Sequence, residues 1–590
     1  MTEGSESHGV RSSPLWFGPE DRPLFGWLHV PEFGQARGGV VLSPTLGIEA
    51  VNARYTFRCL ADRLAKAGFA VLRFDYDGTG DSAGADDEPG RVDAWLRSIR
   101  TATALVKGLG HFRVGVVGLR MGATLAAEIF GSGSTSINDL VLWDPCASGR
   151  TFLREQSALW TFTLGAEARG DGSIETPGLV YDKDTVAELS ALVIANGAGP
   201  MADRVLVLMR SGRTGDRRMN ERLAMPHAER WEIRGQEDFV DVQPDAATVP
   251  EETVAAIVEW LALGAEPATN VPIDLDAVGR TRATVVVAPD GASIEERAVS
   301  LGPLGLFGIM TSRSESGGVS GAEGDNLAPA EVSPTILFFN AGVIDHIGPA
   351  RLWVRLGRQW AQAGLQSVRF DLSGLGDSPV RAGQSSQVIF PTEGLDDLAD
   401  VLRAVGPGDP SNTVMVGLCS GAYYSTAGAI DDKVRGLCAL NPILTFKLPV
   451  ANSNEASATQ GAPEGRREIS GSMKGWVRTM PAYDRINRTV QRLPSAAWWI
   501  INRVAVETSP ARRLKKAVEA GVNVLVIAGT DEGRWLKGGE GGTLRQLERT
   551  GRFRIEVIPG LEHTLLEAST REVAAGILTE HVTRNFGAPG

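Results

Sequence analysis

The chain has 590 residues, 43% of them apolar. At roughly 100 to 200 residues per domain this is enough for two or more complete cores, which excludes a small single module. Its 59 Lys and Arg stand against 71 Asp and Glu, a formal net charge of −12, and no run of basic residues stands out, so a dedicated nucleic-acid binder is also excluded.

Four cysteines, Cys59, Cys146, Cys419 and Cys438, are too few and too scattered for a disulfide framework or a structural zinc site, and a reducing cytoplasm is the expected compartment. The N-terminal MTEGSESHGVRSS has no apolar stretch of the kind a secretory signal needs. The densest apolar segment, Ala496 to Val506, is broken by Asn502 and Arg503. No membrane span is expected.

In chain order, a short strand pair is predicted near Pro23 to Pro31. Strands follow at Gly39 to Pro44, Ala70 to Asp75, Arg113 to Gly118, Asp139 to Trp143, Arg204 to Met209 and Arg230 to Ile233, and an amphipathic helix at Glu251 to Leu263. The series then restarts. A second strand pair near Leu304 to Ser312 precedes strands at Thr335 to Asn340, Ser367 to Asp371, Thr413 to Gly417, Arg435 to Leu440, Asn523 to Ala528 and Phe553 to Ile558. Continuous apolar strands separated by helix-length segments predict an α/β fold, a doubly wound and mostly parallel sheet with helices on both faces.

The restart is also visible as a repeat. VLRFDYDGTGDS (Val71 to Ser82) aligns with VRFDLSGLGDS (Val368 to Ser378), and RVGVVGLRMGA (Arg113 to Ala123) with TVMVGLCSGA (Thr413 to Ala422). The two halves therefore share one fold. The boundary is expected in Leu261 to Pro272, where the helix runs into Gly, Pro and Asn, giving domains 1–265 and 266–590. Ser312 to Pro334 has the composition of a flexible surface loop. The irregular stretches Cys146 to Asp203 and Ile443 to Gly521 are too long for simple connections, which makes them cap candidates.

Gly417-Leu418-Cys419-Ser420-Gly421 places a cysteine midway between two glycines at a strand-to-helix turn, the pattern of a nucleophile elbow. Cys419 is the candidate nucleophile, with Ser420, one place further on, as the alternative. Downstream, Asp531 and Glu532 follow one strand and His563 follows the next, so the chain order is nucleophile, acid, base. Asp531 is the first choice for the acid and Glu532 stays open.

With these residues in place, the sequence resembles the α/β-hydrolase superfamily over both halves. NAGVIDHIGPAR (Asn340 to Arg351), RFDLSGLGDS and GLCSGA are together similar to the exosortase-associated type of bacterial α/β hydrolase. Cysteine at the elbow is similar to polyhydroxyalkanoate synthases, dienelactone hydrolases and aminoacyl shuttles of peptide-antibiotic pathways. The resemblance implies an oxyanion site from the amide of Ser420 and the Asn340-Ala341-Gly342 turn, and chemistry that needs no metal or cofactor.

His563 would take the thiol proton, the acid would orient the imidazole, and the Cys419 sulfur would attack an ester or thioester carbonyl. A thioester acyl-enzyme lies close in free energy to a coenzyme A or carrier-protein thioester, so acyl transfer to an amine, alcohol or thiol is the first reading, in bacterial specialised or surface-polymer metabolism. Hydrolysis of the same esters or thioesters is the alternative. His346 is either a substrate-binding group near the oxyanion turn or a structural loop histidine. Trp476, Trp498 and Trp499, among arginines in the second cap, either pack a lid or line an acyl site with a basic rim for a carrier arm.

In the first half arginine stands at the elbow position, Gly118-Leu119-Arg120-Met121-Gly122, and Asp238 aligns with His563. A guanidinium is no nucleophile at neutral pH. An Arg120–Asp238 ion pair is expected. The half is read as a degenerate structural domain, or as one whose Arg120 binds a substrate carboxylate or phosphate. The oligomeric state, the acyl group and the acceptor are not encoded in any recognisable pattern.

Overall fold

The structure, a computed structural model, describes residues 9–133, 136–164, 169–194, 200–211, 217–225, 227–265, 270–275, 278–288, 290–314, 334–405, 409–432, 434–442, 510–538 and 541–587. In the first part of the chain the apolar runs become eight strands. These are β1 (Val10–Phe17), β2 (Leu24–Pro31), β3 (Gly38–Ser43), β4 (Phe69–Phe74), β5 (Arg113–Leu119), β6 (Asp139–Trp143), β7 (Arg204–Arg210) and β8 (Ala228–Ile233). Their order in the sheet is β1-β2-β4-β3-β5-β6-β7-β8. β2 is antiparallel to both β1 and β4, and the pairs beyond β4 are parallel.

Pro23 to Pro31 is thus one strand and not a pair. Its partner β1 is missing from the sequence reading because Ser12, Ser13 and Pro14 interrupt the apolar pattern, which an edge strand tolerates.

Side chains along the sheet alternate between two cores, as a doubly wound sheet requires. Val40, Leu42, Val117, Val141, Leu206 and Leu208 pack with helices α1 (Ile48–Lys66) and α6 (Glu251–Gly264). Val41, Val116, Leu140, Leu142, Val205 and Val207 pack with α2 (Arg91–Gly108), α3 (Met121–Gly131), α4 (Gly149–Leu164) and α5 (Lys183–Ala191).

The later part repeats this plan with one more strand. Its elements are β9 (Arg282–Val287), β10 (Ser293–Leu301), β11 (Leu306–Ser314), β12 (Thr335–Phe338), β13 (Gln366–Phe370), β14 (Thr413–Leu418), β15 (Gly436–Leu440), β16 (Asn523–Gly529) and β17 (Phe553–Ile558). They run β9-β10-β11-β13-β12-β14-β15-β16-β17. Leu304 to Ser312 is again a single strand, paired antiparallel with β10 and β13.

Ile336, Phe338, Val414, Val416, Leu525 and Ile527 face α7 (Leu352–Gln362) and α13 (Ala568–Phe586). Leu337, Met415, Leu437, Val524 and Val526 face α8 (Gly394–Val405), α9 (Ser420–Asp431), α10 (Pro510–Glu519) and α12 (Gly541–Glu548). Phe338 stacks on Trp353 and Trp360 at centroid distances of 5.2 and 5.4 Å. Each such pair adds about 0.5–1.5 kcal/mol beyond the area it buries.

The chain divides into two units after Val285, past the Leu261 to Pro272 segment. The end of that segment and residues beyond it belong to the first unit: Val271 and Pro272 pair with Ala36 and Gln35, Ile273 and Leu275 enter its core, and Arg280 exchanges backbone hydrogen bonds with Trp16. Among the described residues no helix is long and apolar enough to cross a membrane.

Candidate active site

Cys419 sits between β14 and α9 with φ 56° and ψ −113°, a left-handed conformation that non-glycine residues rarely hold. The flanking glycines make the turn possible. A Cβ on Gly417 would lie 2.3 Å from Gly421 backbone, and one on Gly421 would lie 2.5 Å from the Asn340 carbonyl. The strained turn leaves Cys419 half-buried, at the ends of the parallel strands.

His563 follows β17. Its Nδ1 lies 3.1 Å from Glu532 Oε1, and the Cys419 side chain lies near enough to raise the pKa of the ring. The carboxylate that meets His563 is therefore Glu532 and not Asp531. Both stand in the first turn of α11 (Thr530–Gly538), but Asp531 is exposed and lies 3.5 Å from Arg534. Burial works to lower the pKa of His563, yet Cys419 and Glu532 outweigh it and hold the imidazole well above its ordinary value. Burial likewise works to raise the Glu532 carboxyl, but the hydrogen bond to His563 keeps it below its ordinary value. Imidazole and carboxylate thus make a charge-assisted contact beside the elbow cysteine, a geometry compatible with activation of a nucleophile.

The Asn340-Ala341-Gly342 turn lies against the elbow, as the approach of Asn340 to Gly421 shows. The N–H of Gly342 donates to Ser420 Oγ at 2.9 Å, so this amide is engaged within the protein and the Ser420 hydroxyl is occupied. Ser420 is 2% exposed. The amides of Ala341 and Ser420 remain as the oxyanion candidates.

His346 is buried, with its backbone N–H 2.7 Å from Asp371 Oδ1 and its Nδ1 2.9 Å from Asp371 Oδ2. Asn340 Nδ2 also donates to Asp371 at 2.8 Å. The geometry makes His346 a tie between the loop after β12 and Asp371 at the end of β13. Trp476, Trp498 and Trp499, with most of the 443–521 stretch, lie outside the described residues.

Asn441 was not singled out from the sequence. It follows β15, is fully buried, and has φ 37°. Its Nδ2 donates to the carbonyls of Glu562 and His563, both at 3.1 Å, and its Oδ1 accepts from the Gly529 N–H at 2.8 Å. Asn441-Pro442 at a strand end was the available signal, a dipeptide that marks a turn.

In the first unit Arg120 has the same backbone, φ 52° and ψ −115°. Its guanidinium is buried and does not pair with Asp238. It donates to Glu49 at 3.2–3.3 Å, to Asp144 at 3.4 Å and to Glu155 at 2.5 Å. Arg210 reaches Asp144 at 2.6 Å and also pairs with Asp241. Gln156 and Thr45 donate to Glu49 at 3.0 and 2.8 Å. Burial pushes the Glu49 carboxyl above its ordinary value despite the guanidinium beside it.

Residues 337–576 match the Alpha/beta hydrolase family. No curated protein matches the chain. Among solved structures the chain is similar to Est1E from Butyrivibrio proteoclasticus, at 14% identity and a TM-score of 0.32, over 42% of this chain and 98% of that one. It is similar to alpha/beta hydrolase domain-containing protein 10 from mouse at 15% identity and a TM-score of 0.30, over 42% and 98%. An esterase from Pyrococcus furiosus aligns at 18% identity and a TM-score of 0.30, over 43% and 92%. The protein has the α/β-hydrolase fold, in two mostly parallel sheets of eight and nine strands.

Proposed function

We propose that the second unit is a thiol-dependent acyltransferase in which Cys419 is the nucleophile, His563 the base and Glu532 the group that orients it. The observation that carries this reading is the His563–Glu532 contact, 3.1 Å, set beside Cys419 at a strained elbow. The Cys419 sulfur, its proton passed to His563, attacks the carbonyl of an ester or thioester donor, such as an acyl-coenzyme A or an acylated carrier-protein arm. The resulting oxyanion is met by the amides of Ser420 and Ala341. Collapse expels the donor alcohol or thiol, which leaves with the proton from His563. An amine, alcohol or thiol acceptor then gives its proton to His563, attacks the thioester and restores the Cys419 sulfur.

In this reading the chain is a tandem pair whose first unit is non-catalytic. Arg120 donates to the protein's own carboxylates, which supports a structural role over capture of a substrate anion. A cytoplasmic setting would keep Cys419 reduced.

Hydrolysis is the second reading. It is favoured by the match of residues 337–576 to a hydrolase family and by the His563 side chain, which is 32% exposed and so accessible to water. Intact-protein mass spectrometry after incubation with a panel of acyl thioesters and activated esters, chased with amines, thiols or water, separates the two. An adduct on wild type and not on Cys419→Ala that leaves only with an added acceptor establishes transfer. Rapid loss to water establishes hydrolysis. An adduct on both proteins, or on neither, removes Cys419 from the chemistry.

A further inference from the structure

We infer that Asn441 is a positioning residue for His563, an inference that rests on the Cys419–His563 reading above. Two chain segments meet at its side chain. The amide nitrogen is shared between the carbonyls of Glu562 and His563, and the amide oxygen accepts from Gly529 at the end of β16, the strand that leads to Glu532. Its own N–H donates to the Ile527 carbonyl at 2.8 Å. One buried residue therefore holds the base-bearing loop at a set distance from the acid-bearing strand.

The approach it fixes is close. A Cβ on Gly529 would lie 2.3 Å from the Leu561 carbonyl and 2.9 Å from Glu532 Oε2. The task needs a donor and an acceptor on one short side chain, which asparagine supplies and aspartate, ionised, does not. The first unit gives the contrast. Asp144 follows β6 with φ 46° and its N–H donates to Leu208 at 2.8 Å, the same backbone setting. Its carboxylate is paired with Arg120 and Arg210. Arg210 itself stands at the register of Gly529, each opposite the last residue of the neighbouring strand, Ile233 or Ile558. Where the base is absent, the amide clamp is absent as well.

The test follows alkylation of Cys419 by iodoacetamide against pH in the full chain, read on the Cys419 peptide by mass spectrometry. The proteins compared are wild type, His563→Ala, Asn441→Asp, Asn441→Ala and Leu402→Ala, the last a core truncation in α8 that touches none of these groups. The expected result is that His563→Ala moves the alkylation midpoint to higher pH, both Asn441 variants move it in the same direction, and Leu402→Ala leaves it in place. Turnover in the Asn441 variants should fall by about tenfold to a hundredfold, the scale of a displaced catalytic group.

If His563→Ala alkylates like wild type, the Cys–His reading itself fails. If His563→Ala shifts the midpoint and the folded Asn441 variants do not, the positioning assignment is overturned. Should neither Asn441 variant fold, hydrogen–deuterium exchange on wild type decides. Slow exchange at the Gly529 amide and across 559–567 supports the clamp, and free exchange there within an otherwise protected unit overturns it.

Discussion

Glu532 meets His563 while its neighbour Asp531 points away, because adjacent side chains on a helix diverge by about 100°. Sequence spacing leaves both open, and the helical start at Thr530 decides between them. Glu532→Gln should lower kcat by about a hundredfold or more, on the scale seen when a triad acid is neutralised, while Asp531→Asn should leave steady-state kinetics unchanged. The same contact has a pH signature. The His563 pKa is raised above 6.5, so the stability it contributes is fully present below its unfolded value and is lost as pH rises through the folded one. The Glu532 carboxyl is lowered, so its contribution is lost as pH falls through its folded value. The difference in Tm between wild type and His563→Gln should be greatest between these two limits and should shrink on either side.

At the scale of elements, the strands were legible because parallel strands buried on both faces are long runs of Val, Ile and Leu. The elbow was legible because close backbone approach demands glycine at two spaced positions. Gly417→Ala, which would set a Cβ 2.3 Å from Gly421, should therefore lower stability by about 1–3 kcal/mol, read from the urea midpoint. Asn441 was hidden because its partners Glu562 and His563 lie 121 and 122 residues away. Arg120 was misassigned for a similar reason. Charge complementarity at aligned positions suggested Asp238, but packing brings in Glu49, 71 residues upstream. Arg120→Leu would leave Glu49 and Asp144 buried without that cation and should cost about 3–5 kcal/mol.

At the scale of the whole molecule, each unit has its own pair of cores on the two faces of its own sheet. Chains built this way depart from a single all-or-none transition. Urea unfolding followed by tryptophan fluorescence should resolve two transitions, with Arg120→Leu moving one and Gly417→Ala the other. A single transition displaced by both variants would show that the units unfold together.

The bend at Arg120 matches the one at Cys419 to within a few degrees in both φ and ψ, at a conformational cost of about 1–3 kcal/mol for such residues. At Arg120 that bend carries a guanidinium locked among three carboxylates, and at Cys419 it carries a thiol. A survey of structures by backbone shape would return both turns as equivalent hits, and only the atom at the tip of each side chain would tell them apart.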